Sequence, residues 1–233
     1  MKRFYKEVSA SASPSSQGGY VVLLDGKAVR TPKRAMLGLP NLALAEAIAE
    51  EWRGQGDTID PQTMPLTRLA FAAIDVVTPE RARVADQTLK YAQTDLLSYR
   101  AEDPPELAAR QAHTWDPLLD WAAETYGARL NVGSGITHAA QPAEAIAELE
   151  QAVARYDEFE LAALHTATTI TGSLILALAL AEEEVSASEA FAAATVDETF
   201  QAEKWGRDAE AEKRSRHLLA ELTAAEGFMR LLE

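Results

Sequence analysis

Along the first forty residues, apolar positions come in short extended clusters. RFYKEV and GYVVLLDG mix aromatic and β-branched residues, and SASASPSSQG between them reads as a flexible loop. Asp25-Gly26 is a two-residue hairpin signal, since the favoured turn needs residues that tolerate positive φ. KAVRTP continues as the return strand to Pro32, and MLGLP adds another extended piece before Pro40. A sheet this small is marginal alone, so packing against the rest or a further strand near GDTIDP is expected.

From Asn41 the apolar period lengthens to that of a helix. Asn41 is placed to cap a helix carrying Leu42, Ala45, Ile48, Ala49 and Trp52 on one face, with Gly54 and Gly56 ending it. Further helices are predicted over 66–76 and from 79 to about 100, and Pro104-Pro105 separates the latter from a fourth. Within the fourth, Asp116-Pro117 reads as a fresh helix start rather than a kink, with Asp116 as N-cap and Pro117 in the first turn. Residues 127–142 form a loop with room for one short strand, and helices follow over 143–156, 159–183, 186–205 and 209–232. No internal repeat indicates a solenoid. The expected fold is α+β: a small antiparallel β-rich N-terminal domain with one helix, residues 1–62, then a larger all-helical C-terminal domain, residues 63–233.

Composition narrows the classes. With 47% hydrophobic residues among 233, the chain can build a real core, and without cysteine it has no disulfide or thiolate chemistry. The cytoplasm is the expected compartment. GSLILALALA, the most apolar window, is about half the ~20 residues of a membrane span and reads as a buried central helix. MKRFYKEV lacks an apolar h-region, so it reads as neither a secretory signal nor a transit peptide. A net charge of −14 argues against nucleic-acid binding. The charge is uneven, with seven basic and two acidic side chains in residues 1–40 against fifteen and thirty-four in the remainder. Such polarity can orient a charged partner.

Chemistry-bearing motifs are scarce. There is no phosphate-binding glycine loop, no G-x-S-x-G elbow and no metal-ligand spacing among His113, His138, His165 and His217, so no cofactor and no metal are expected. Two carboxylates stand out. Asp95 lies between Tyr91 and Tyr99 with Arg100 close by; it reads either as a structural hydrogen bond closing the third helix or, with Tyr99 and Arg100, as a partner contact. Glu198 falls at helical spacing among Phe191, Ala194, Ala202 and Trp205, and a carboxylate on an apolar stripe needs a partner. That partner is either an internal arginine, Arg214 or Arg216, or another protein. Trp52, Trp115 and Trp121 read as packing anchors, whereas Trp205, at a helix end beside Gly206, resembles an interface anchor.

KRFYKEV, LLDGKAVRTP, EEW, DTIDPQTMPLTRLA, TDLLSYR, WDPLLDWA and FQAEKWG occur in the order and near the spacing of one family. Over nearly its whole length the chain resembles the assembly chaperones that bind the α subunit of the F-type ATP synthase catalytic head, called ATP synthase assembly factor two in mitochondria. The resemblance implies a non-enzymatic, ATP-independent chaperone with a β-rich N-terminal and a helical C-terminal domain, holding free α until it pairs with β. The expected molecule is a monomeric, bacterial, cytoplasmic member. The family's important acidic position matches Glu198, just ahead of Gln201, Lys204 and Trp205, and an important tryptophan matches Trp52. Ser98 stands where members often have Cys, and Phe71 where Asn is expected. The alternative from another class is a small-molecule hydrolase or isomerase using Asp95 or Glu198 as general base. It expects a concave pocket, whereas the chaperone reading expects a broad, partly apolar surface with no pocket at Glu198.

Overall fold

The computed structural model describes residues 1–13, 19–135, 137–206 and 208–233. The second half of the SASASPSSQG loop, residues 14–18, together with Ile136 and Arg207, lies outside the described residues. The chain packs as two compact units. One comprises Met1–Arg81, Asp157–Ala163 and Gly227–Glu233; the other comprises Ala82–Tyr156 and Leu164–Glu226. The first thus includes helical sequence beyond residue 62 and two returning segments that no local period could assign to it.

In the first unit, β1 (Val8–Ala12) pairs antiparallel with β2 (Tyr20–Leu24), in register Val8 with Leu24 through Ala12 with Tyr20. The other edge of β2 takes β3 (Lys27–Ala28) and β4 (Gly38–Leu39), both antiparallel. Asp25 and Gly26 turn β2 into β3 at φ 48° and 76°, the positive values the sequence motif implies. The Asp25 carboxylate also accepts the backbone N–H groups of Lys6 and Glu7. One expectation fails at the edge: the first strand is VSASA and not RFYKEV. Its small residues carry no β signature; it is specified by pairing with β2 and by the close packing of α1 (Leu42–Arg53). GDTIDP contributes a single bridge, Lys2 with Thr58, in place of a strand.

Asn41 caps α1 as expected, its side chain accepting the Leu44 N–H at 2.9 Å. The buried face is Leu44, Ala45, Ile48, Ala49 and Trp52, with Leu42 left exposed. Glu51 of α1 accepts the N–H groups of Leu66 and Thr67 and the Thr67 hydroxyl, so a neighbouring helix caps α2 (Pro65–Ala72). A π-helical turn, Ala73–Val77, then leads into α3 (Thr78–Gln93).

The second unit is mainly helical. α4 (Pro105–Tyr126) is one continuous helix with Pro117 inside it, which corrects the expected fresh start at Asp116. An interior proline costs about 3 kcal/mol. Leu107, Gln111, Trp115, Leu118, Leu119 and Ala122 keep one buried face running through it, and that packing outweighs the local signal. The loop after α4 holds the short strand β6 (Gly133–Ser134), parallel to β5 (Tyr99–Arg100), so this unit is not wholly helical. α5 (Ala143–Ala154) matches its period.

Two of the long predicted helices are broken. The segment over 159–183 divides into α6 (Glu158–Thr171) and α7 (Leu174–Ala181) at Gly172, whose φ is 69°. α7 is apolar all round and buried from Leu174 to Leu180, the central helix read from its composition. The segment over 186–205 divides into α8 (Ala187–Ala194) and α9 (Val196–Trp205) at Thr195. A capping box of Ser186 and Glu189 starts α8. α10 (Ala209–Arg230) completes the chain.

Candidate functional site

Asp95 answers the first question about carboxylates. It is wholly buried, and its oxygens accept the backbone N–H of Leu97 at 3.0 Å and those of Leu174 and Ile175 at 2.8 and 3.2 Å. The side chain therefore satisfies the first turn of α7 from 79 residues away and caps the 3-10 turn Leu96–Ser98, which follows α3 where one helix to about 100 was expected. Burial pushes its carboxyl up to about 6, against the downward pull of these donors and Ser173. With no access to solvent it contacts neither a partner nor a substrate, which corrects both assignments.

Arg100 is also internal. Its side chain is 10% exposed, pairs with Asp116 at 2.6 Å and stacks 4.9 Å from the Trp115 ring centroid, so its expected partner contact is replaced by a structural role. Tyr99 is half-buried, its hydroxyl 3.3 Å from Nδ1 of His138. Trp52, in the first unit, is 7% exposed and packs edge-on against Tyr5, as the packing-anchor reading expects.

α9 is different. Val196 and Phe200 are its buried residues, and α4 forms the platform beneath them. Gln111 donates to Asp197 at 2.6 Å, Arg110 makes two 2.9 Å hydrogen bonds to Glu203, and the Trp115 indole donates to the carbonyl of Ala193 at 2.8 Å. Arg110 and Lys204 both lie over the Phe200 ring, at 5.2 and 4.3 Å. At 100° per residue, Val196, Asp197, Phe200, Glu203 and Lys204 occupy the side toward α4. Glu198, Gln201, Ala202 and Trp205 then occupy the opposite side.

That opposite side opens onto a groove of about 720 Å³, walled by α8, α9 and the start of α10. Phe191, Glu198, Gln201, Ala202, Trp205 and Glu212 line it. Trp205 is 76% exposed, the most exposed of the large apolar side chains described. Glu198 is exposed and, among the described residues, has neither a hydrogen bond nor an ion pair. Arg216 also lines the groove but bonds to the Glu212 carbonyl, and Arg214 is exposed without reaching Glu198. The internal arginine partner is thus not formed there.

The expectation of no pocket at Glu198 is corrected, because the break at Thr195 lets α8 and α9 splay into two walls where one continuous helix would present a stripe. Sequence reading placed Glu198, Gln201 and Trp205 together and grouped Lys204 with them, but Lys204 turns to the α4 side. It missed Arg110, Gln111, Asp197 and Glu203, which orient α9. Residues 86 to 93 positions apart carry no local sign of pairing.

The groove is walled on one side by a bare indole and an unpaired acid. No side chain among those described hydrogen-bonds the acid into a base and nucleophile pair. No group of three or more metal-binding side chains occurs among the described residues, and no described helix is long and apolar enough to cross a membrane.

Comparison with known proteins bears on the same chain. Residues 2–123 match the family model described as ATP12 chaperone protein. The fold superposes on Atp12 from Paracoccus denitrificans with a TM-score of 0.93 and 44% sequence identity, covering 100% of this chain and 98% of that one. It superposes on the Atu1473 protein from Agrobacterium tumefaciens with a TM-score of 0.94 and 43% identity, covering 100% and 86%.

Proposed function

Since the chain belongs to the ATP12 chaperone family, we propose that it is an ATP-independent assembly chaperone for the α subunit of the F-type ATP synthase. It binds free α, shields the aggregation-prone surface that α later buries against β, and acts as a monomer in the bacterial cytoplasm. An orphan subunit exposes apolar surface that its proper mate would cover, and such surface aggregates. A chaperone that covers it needs an apolar anchor together with charge that fixes register and penalises wrong partners.

The observation that carries this reading is the α9 face, where a tryptophan 76% exposed stands beside a carboxylate with no internal partner among the described residues. An exposed indole next to an unsatisfied charge is the composition of an interface hot spot. Gln201, in the same face, supplies a neutral hydrogen-bonding group. α4 holds the other side of α9 by bonds that leave this face unobstructed.

Co-expression with the cognate α subunit, without added nucleotide, tests it. The wild-type chain should keep α soluble and co-purify with it. Glu198→Lys, at an exposed position, should melt as the wild type does yet recover at least about tenfold less α. Soluble α recovered equally with the variant would remove Glu198 from the contact. Failure of the wild type to retain α would remove the function.

A further inference from the structure

A second recognition surface lies in the first unit, separate in composition from the groove beside α9. Phe4 is 64% exposed and packs edge-on against Tyr5, with ring centroids 5.4 Å apart. It borders a cleft of about 450 Å³ whose floor includes Tyr5, Leu24, Val29 and Trp52. All four are buried, Leu24 on β2, Trp52 on α1, Val29 just after β3 and Tyr5 ahead of β1, so the cleft is a built depression. Its rim is cationic. Lys27 and Arg30 line it, both exposed, and neither makes an ion pair among the described residues. One acid, Asp25, also lines it, but both bonds to its Oδ1 come from the backbone N–H groups of Lys6 and Glu7. Those two donors first, and then the charges of Lys6 and Lys27, hold that carboxylate below its ordinary pKa, so it offsets Lys27 in part, while Arg30 donates to the Arg34 carbonyl at 2.9 Å and keeps its charge unneutralised.

The charge context makes this rim unusual. The protein carries 36 acidic and 22 basic side chains, so most cations could find a carboxylate. Arg53, Arg100 and Arg110 do so. Residues 1–40 nevertheless keep seven cations against two acids. Cations held by no salt bridge among the described residues, set around an exposed aromatic, are complementary to an anionic segment carrying an apolar side chain.

We infer that the cleft bounded by Phe4, Lys27 and Arg30 docks an acidic peptide segment of a partner protein. An apolar side chain of that segment packs on Phe4 over the Leu24 and Val29 floor, and its flanking carboxylates meet Lys27 and Arg30. This does not rest on the assignment of the α9 groove, and it predicts a partner of opposite charge character to the one that would meet Glu198.

The probe is a short synthetic peptide with a Leu-Phe core flanked by Asp and Glu, compared with its Lys-flanked counterpart. Binding to the full chain is followed by amide shifts of Leu24 and Val29 and the indole N–H resonance of Trp52. Expected is saturable binding of the acidic peptide alone, weakened by salt. The double variant K27E/R30E should bind at least about tenfold more weakly, Phe4→Ser likewise, and Glu198→Lys unchanged. All four positions are exposed, and unchanged melting of each variant confirms that folding is not the cause. Equal binding of the Lys-flanked peptide, no binding of either, or loss of binding in Glu198→Lys would each overturn the proposal. So would concentration-dependent self-association of the wild type that K27E/R30E abolishes, since the occupant would then be a second copy.

Discussion

Replacing Trp205 by alanine separates a binding surface from a core position by magnitude. A buried aromatic side chain hides about 150–250 Å². With 76% exposure retained, Trp205 buries only about a quarter of its surface in the free chain, roughly 40–60 Å². At about 25 cal/mol per Å² the stability at stake is ~1 to 1.5 kcal/mol. In a complex the remaining three quarters are available to be covered, and a central interface tryptophan typically contributes about 2 kcal/mol or more on truncation. That is roughly a 30-fold rise in Kd. Trp115, 1% exposed and hydrogen-bonded to Ala193, is the internal control, where alanine should cost about 3–5 kcal/mol of stability. Chemical denaturation of both variants and titration with the α subunit give the two numbers side by side. If Trp205→Ala destabilised the chain as much as Trp115→Ala, the indole would be buried in solution. If Kd were unchanged, the groove would not be the contact.

Trp52→Arg should lose most of the first unit's stability, because it removes a packed indole, about 3–5 kcal/mol, and buries a cation; an unchanged melting curve would contradict this. For Asp95, burial raises the folded pKa to about 6, above its ordinary value, so the folded state holds the proton more tightly. The stability this group contributes is present at low pH and lost as pH rises through about 6, a span on the order of 3 kcal/mol. The advantage of wild type over Asp95→Asn in denaturation experiments should therefore shrink as pH rises through that value, and parallel pH profiles would refute it. Pro117→Ala, at an exposed position inside α4, should stabilise by about 1–2 kcal/mol; destabilisation would show that proline shapes the helix productively.

Local chemistry was legible wherever one segment contains both the cause and the effect. Asn41 caps α1 with its own side chain, Asp25-Gly26 turns its own hairpin, and α7 is apolar on every face because it is surrounded. The candidate site was half legible. Spacing put Glu198, Ala202 and Trp205 on one face, and the family resemblance added Gln201, but spacing merged α8 and α9 into one rod and so turned a groove into a stripe. Nothing within 186–205 marks Thr195 as a boundary, since Thr is tolerated in helices and the neighbouring alanines favour them.

By itself, then, the chain determined its helical and extended periods, its lack of thiol and phosphate-loop chemistry, its uneven charge and, through seven ordered motifs, its family. Tertiary structure alone decided which polar groups are internal. Asp95 became a helix cap because the amides of Leu174 and Ile175 arrive beside it, and Arg100 was drawn under Trp115 and Asp116. Glu198 stayed outside because α4 holds the other face of α9 through Arg110 and Gln111. The reason is physical: a side chain's propensity is set by its neighbours in sequence, whereas its burial and hydrogen bonding depend on groups that only folding brings within 3 Å or so.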